Sequence, residues 1–107
     1  MTPALFRVVS HARAGRLTPP RAKGLRAGAV RLAPGEIMEW HSTREREELI
    51  VVIAGRVALE LQSIEGRRRI APLAAGQSAF LPSHTLHRMV NRSRTAVHYI
   101  YITASAT

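Results

Sequence analysis

Apolar and polar positions alternate along this chain in short runs, and Gly or Pro cuts most of the runs. That period of two is the signature of strands with one face turned to a core. Leu25–Gly35 reads as a strand that ends in a Pro-Gly turn. Glu36–Thr43 places Ile37, Glu39, His41 and Thr43 on one face and Met38 and Trp40 on the other. Glu48–Ala54 is rich in β-branched residues and closes at Gly55, a bulge or sharp turn before the strand Arg56–Ile64. Glu65-Gly66 makes a hairpin tip, and Arg67–Gly76 returns. Gln77–Asn91 holds a short strand, a Pro turn and another strand, and Ala96–Ala104 is a final strong strand. A first strand is expected at Ala4–Ser10, followed by a Pro/Gly/Arg-rich loop over His11–Gly24.

No window sustains a helical period over eleven residues. About eight or nine short strands with regular turns predict an all-β fold, a single-domain antiparallel barrel or sandwich. The 107 residues supply one core, so one domain is expected over 1–107, with 1–24 as a basic strand-and-loop arm. No apolar run approaches the length of a membrane helix, and the start lacks the pattern of a secretory signal. The cytoplasm is the expected location.

Composition narrows the chemistry. There is no cysteine, so a metal would be held by His, Glu or backbone and water oxygens. The formal charge is +9, but it is uneven: residues 1–35 hold seven basic residues and no acid. Aromatic residues make up only 5% of the chain and the arginines are scattered, which argues for a solvated surface over a nucleic-acid partner. Three of the five histidines, His41, His84 and His87, fall near strand ends. His41 and the start of the following strand, Glu47 or Glu48, would meet by hairpin pairing. Glu48 shares a face with Ile50 and Val52, so it would point inward, where a carboxylate needs a cation or a proton.

Two spacings then become specific. The first runs Gly35, five residues, His41, one residue, Thr43, four residues, Glu48, six residues, Gly55. The second runs Gly76, five residues, Pro82, Ser83, His84, two residues, His87, three residues, Asn91. Together they resemble the two motifs of the cupin superfamily at eight of ten anchor positions, departing at Thr43 (usually His) and His84 (usually Gly). The resemblance implies a jelly-roll barrel and a homodimer. It also implies a divalent transition metal (Fe, Mn, Ni, Co or Zn) on His41, Glu48 and His87, with His84 and Thr43 as further candidates. Two histidines and one carboxylate would resemble the facial triad of non-haem iron sites. Such a site suits a metal-dependent dioxygenase or isomerase acting on a small polar metabolite. The alternative is a non-catalytic small-ligand-binding or sensor barrel without metal, for which Thr43 is the main support. Glu47 and Tyr99 are candidate acid–base groups. Ile37, Ile50, Val52, Met89, Phe80 and Tyr99 are the expected lining. Outward-facing Leu49, Val51 and Ile53 are the expected dimer contact.

Overall fold

The computed structural model describes residues 6–106 and is all β. Among the described residues nine strands form in chain order: β1 Gly15–Arg16, β2 Leu25–Leu32, β3 Ile37–Ser42, β4 Arg46–Ala54, β5 Arg56–Gln62, β6 Arg68–Ala74, β7 Ser78–Leu81, β8 Leu86–Val90 and β9 Val97–Ser105. They make two antiparallel sheets, ordered β1-β2-β9-β4-β7 and β3-β8-β5-β6. From β2 onward every connection except the β5–β6 hairpin carries the chain from one sheet to the other. The two sheets are thus wound together, and their inner faces bury the same core. Among the described residues no helix is long and apolar enough to cross a membrane.

The period of two decides what is buried. Along β4, Glu48, Ile50 and Val52 are buried, while the neighbours Leu49 and Ile53 remain exposed. Leu32 of β2, Val57 and Leu59 of β5, Leu73 of β6, Leu81 of β7, Met89 of β8 and Val97 and Tyr99 of β9 complete this core. The outer face, where the sequence expectation sets a second subunit, carries Leu49, Ile53 and Phe80 at 38%, 41% and 60% exposure.

Tight turns take glycine where the backbone requires it. Gly55 sits at φ 79°, and a Cβ there would meet the Ala96 carbonyl oxygen at 2.5 Å. Only glycine combines that conformation with that approach. Gly28 on β2 lies beneath the Tyr101 ring, whose hydroxyl would be 2.5 Å from an added Cβ.

The loop after β8 is fixed by Asn91, which is fully buried. Its amide donates to the Leu32 and Thr95 carbonyls, and its side-chain oxygen accepts from the Ser93 N–H and hydroxyl. On the outer face of the second sheet, Glu60 is buried beneath Arg88 and Arg92, at 2.9 and 2.7 Å. The hydrogen bond from Arg92 holds its carboxyl below the usual value against the opposing effect of burial, with Arg88 assisting.

Three sequence expectations are corrected. No strand forms over residues 6–10, and Ala4 and Leu5 lie outside the described residues. Phe6, Val8 and Val9 are exposed, so this stretch has no apolar cover to repay ordering as a strand. β1 forms later, inside the expected loop, pairing Gly15 and Arg16 with Ala29 and Gly28. β3 and β4 are not a hairpin: β3 pairs with β8, and β4 pairs with β7 and β9. β4 also begins at Arg46, so the link between them is only Thr43 to Glu45.

The N-terminal segment touches the sheet through histidine. His98 of β9 is buried, its Nε2 has no partner among the described residues, and its ring lies 5.8 Å from that of His11. Burial holds the imidazole below its ordinary 6.5, and the nearby charges of Arg31 and His11 push the same way. A depressed histidine favours the folded state when neutral. Its contribution is therefore complete above about pH 6.5 and is lost as the pH falls below that value. The melting temperature is expected to drop between pH 7.5 and 5, and to drop less in His98→Gln. Equal drops in both proteins would remove His98 from the explanation.

Candidate metal centre

The site lies between the two sheets. β3 and β8 bring His41 opposite His87, with ring centroids 4.2 Å apart. β4 brings Glu48 from the other sheet, its Oε1 3.8 Å from His87 Nε2. One ligand-capable atom from each of the three lies within 4.8 Å of the others. His87 and Glu48 are buried, and His41 is exposed at the opening.

His41 reaches this interior through an irregularity. The pairing of β3 with β8 moves from Met38↔Met89 to His41↔His87, three residues on one strand against two on the other. The extra residue is a β-bulge, and it turns His41 onto the face of Met38. Simple alternation sets His41 opposite Met38, so the bulge reverses that part of the sequence reading. Trp40 is left on the outer face, where the guanidinium carbons of Arg88 and Arg68 lie 4.9 and 5.4 Å from its ring.

Both histidines are oriented in the same way. His41 Nδ1 donates to the Glu39 carbonyl at 2.7 Å, and His87 Nδ1 donates to the Thr85 carbonyl at 3.0 Å. A carbonyl only accepts, so in the neutral ring the proton sits on Nδ1 and the Nε2 lone pair is free. His87 Nε2 is buried and has no hydrogen-bond partner among the described residues. The 3.8 Å to Glu48 is too long for a hydrogen bond. Two oriented imidazole nitrogens and a buried carboxylate facing one gap are a donor set that fits a divalent transition metal.

Thr43 and His84 stand differently. The Thr43 hydroxyl donates to the Pro82 carbonyl at 2.8 Å and accepts from the Thr85 N–H at 3.0 Å. It ties the β3–β4 link to the β7–β8 turn, and through Thr85 it steadies the residue that holds His87. His84 sits in that turn at φ 57° and lines an adjoining cleft with Arg26, Arg44 and Arg46. Thr43 lines the same cavity as His41, Glu48 and His87, whereas His84 does not line it and is not in their cluster.

A cavity of about 480 Å³ opens over the three residues, a size suited to a small metabolite. Met38, Met89, Ala27, Tyr99 and Tyr101 form much of its wall. Burial raises the Tyr99 phenol well above its ordinary value, and the charge of Glu48 adds to this, so Tyr99 stays protonated. Of the lining expected from sequence, Met89 and Tyr99 are there, Ile50 and Val52 lie in the core, and Ile37 and Phe80 are exposed. Glu47 is exposed on the opposite side of β4 from Glu48 and does not line the cavity. The reading missed Tyr101, although it shares parity with Tyr99, and it missed the cavity's arginines, which look like ordinary surface charge in the sequence.

Residues 28–103 match the cupin domain. This chain belongs to the cupin family. A cupin 2 conserved barrel domain protein from Salinispora arenicola is similar, with 27% identity and a TM-score of 0.71 over 88% of this cupin and 76% of that chain. An oxalate oxidase shares the fold at 19% identity and a TM-score of 0.71, over 77% of this cupin and 42% of that chain. Over 52 residues this cupin is 35% identical to the glucose-6-phosphate isomerase of Pyrococcus abyssi. That match covers 49% of this cupin but only 28% of the isomerase.

Proposed function

We propose that this cupin holds one divalent transition metal on His41, Glu48 and His87 and acts on a small metabolite bound in the cavity above it. One observation carries the reading. His87 Nε2 is buried, faces Glu48 and lacks a hydrogen-bond partner among the described residues. A buried acceptor of this kind costs about 1–3 kcal/mol when left unmade, and a cation in the gap would remove that cost.

A bound ion would supply Lewis-acid polarisation of a substrate carbonyl or enediol oxygen. The remaining work falls to the chain itself. The Glu39 and Thr85 carbonyls hold the imidazoles in one tautomer and one direction. Met38, Met89 and Ala27 give the wall its apolar character and limit water beside the reacting atoms. Tyr99 lines the same cavity as Glu48, keeps its phenol proton and can donate a hydrogen bond to a substrate oxygen. The similar proteins named above include an oxalate oxidase and a sugar-phosphate isomerase, which agrees with a small oxygen-rich substrate.

Thr43 favours a second reading. Its hydroxyl is used by the β7–β8 turn, so three side chains are left for an ion. A barrel that binds a small ligand without metal would need no more. Metal analysis separates the two readings. Untagged protein is expected to retain near one equivalent of a divalent ion after dialysis, and His41→Ala to retain less than a tenth of that. Wild-type protein that takes up none of Fe, Mn, Co, Ni or Zn would leave only the second reading.

A further inference from the structure

We infer that the cavity over His41, Glu48 and His87 takes a ligand bearing a carboxylate or phosphate group, and that Arg26 and Arg44 at its mouth bind that anion. The inference deepens the metal-site reading by naming the chemical class of its substrate, and it rests on the same cavity.

The charge of the cavity is one-sided. Four arginines line it, Arg16, Arg26, Arg44 and Arg46, against a single acid, Glu48. The adjoining cleft shares Arg26, Arg44 and Arg46 and adds one more acid, Glu45. Low-dielectric walls lined by one sign of charge concentrate ions of the other sign. A divalent cation beside Glu48 would make the same space more positive still.

Two of the four arginines have structural duties. Arg46 Nε donates to the Thr103 hydroxyl at 2.9 Å, and its Nη2 donates to the Thr103 and Gly24 carbonyls. Arg16 Nε reaches the Thr18 hydroxyl at 3.4 Å. Arg26 and Arg44 have no side-chain hydrogen bond or ion pair among the described residues. Their guanidinium forks are free, and two parallel N–H donors match a carboxylate or a phosphate edge.

The backbone sets both where an anion can use them. Arg26 on β2 pairs with Thr103 on β9, and Thr103 pairs with Glu48 on β4. The three form one row across the sheet, and partners in a row point to the same side. Two strand spacings separate the ends, so the Arg26 and Glu48 Cα atoms are about 10 Å apart. A short molecule can therefore set its charged end at Arg26 and its other end at the histidines. Arg44 lies in the link between the strands that carry His41 and Glu48. Its φ is 55°, a left-handed conformation in which glycine would be least strained. The Ser42 hydroxyl accepts from its N–H at 2.9 Å, and its carbonyl accepts from the His84 N–H at 2.6 Å. That local frame holds an arginine, with its charge at the mouth, where the chain could most easily carry none.

Calorimetric titration tests this with two probes, inorganic phosphate and malonate, on metal-free and on metal-loaded protein. At least one probe is expected to bind the metal-free wild type at one per chain. In the double variant Arg26→Gln, Arg44→Gln its affinity falls at least 10-fold, while retained metal is unchanged. A second double variant, Arg67→Gln, Arg69→Gln at the β5–β6 hairpin, removes the same charge elsewhere and is expected to bind as wild type does. The preferred probe distinguishes a phosphorylated from a carboxylate ligand. Failure of both probes to bind, or equal weakening in the two double variants, would overturn the inference. Because the decisive titration is done without metal, absence of metal retention would refute the metal-site reading alone and leave the arginine result standing.

Discussion

His87→Leu is expected to abolish metal retention and, in metal-free protein, to leave the fold slightly more stable than wild type. The two effects have one origin. His87 is 1% exposed, and its Nε2 has no hydrogen-bond donor among the described residues. In the absence of an ion that nitrogen is a buried polar group left unpaired, which costs about 1–3 kcal/mol. Leucine fills a similar volume without the polar atom, although it also gives up the hydrogen bond to the Thr85 carbonyl. A net gain of about 1 kcal/mol follows from these opposing effects. Adding metal should reverse the order. An ion at about 100 times its dissociation constant stabilises wild type by about 2.7 kcal/mol, and the variant gains nothing. Thermal melts with chelator and with added Zn or Mn check both halves. A His87→Leu protein that is still stabilised by metal would show that the ion sits elsewhere.

Asn91→Ala is expected to be the most destabilising single change in the loops. Asn91 is fully buried and makes hydrogen bonds to Leu32, Thr95 and Ser93. Alanine leaves the Leu32 carbonyl and at least one group of the 92–95 loop without a partner. At about 1–3 kcal/mol for each group stranded in the interior, a loss of roughly 3 kcal/mol follows. In a domain of this size that lowers the melting temperature by on the order of 10–20 °C. The effect should be the same with and without metal, because Asn91 holds the β8–β9 loop and does not face the cavity. A melting temperature within a few degrees of wild type would mean that water replaces the amide in the loop.

The contrast between these two residues bears on what a sequence can reveal. His87 and Asn91 sit four apart in one spaced motif, and simple alternation sets both on one face. The pattern marks both as inward without separating a site residue from a loop anchor. The difference lies in partners: Asn91 has a full set and His87 has an open nitrogen.

The strand pattern itself was legible from the chain. Alternation in Glu48–Ile53 orders the inward and outward faces of β4 correctly, because side-chain direction in a strand depends only on the next residue. Gly35, Gly55 and Gly76 stand at positive φ, as their turn positions require. Over residues 6–10 the strand expected from the same rule does not form. A strand needs an edge to pair with and a face to cover, and local alternation reports neither.

The assembly of the candidate site depends on how distant strands pair. His41 and Glu48 are near in sequence, yet they meet across the interior from different sheets, because the Thr43–Glu45 link changes sheets instead of closing a hairpin. The bulge between Met38 and His41 then turns the histidine inward, against its parity. Arg26 joins the same cavity from β2, through a row of pairings that spans more than seventy residues of chain. Alternation and glycine placement are local, so the chain alone specifies the strands from β2 onward and the two faces of β4, and it offers His41, Glu48 and His87 as candidate ligands. Sheet exchange, the bulge and the free arginines depend on pairing between distant strands, and only the folded chain decides that.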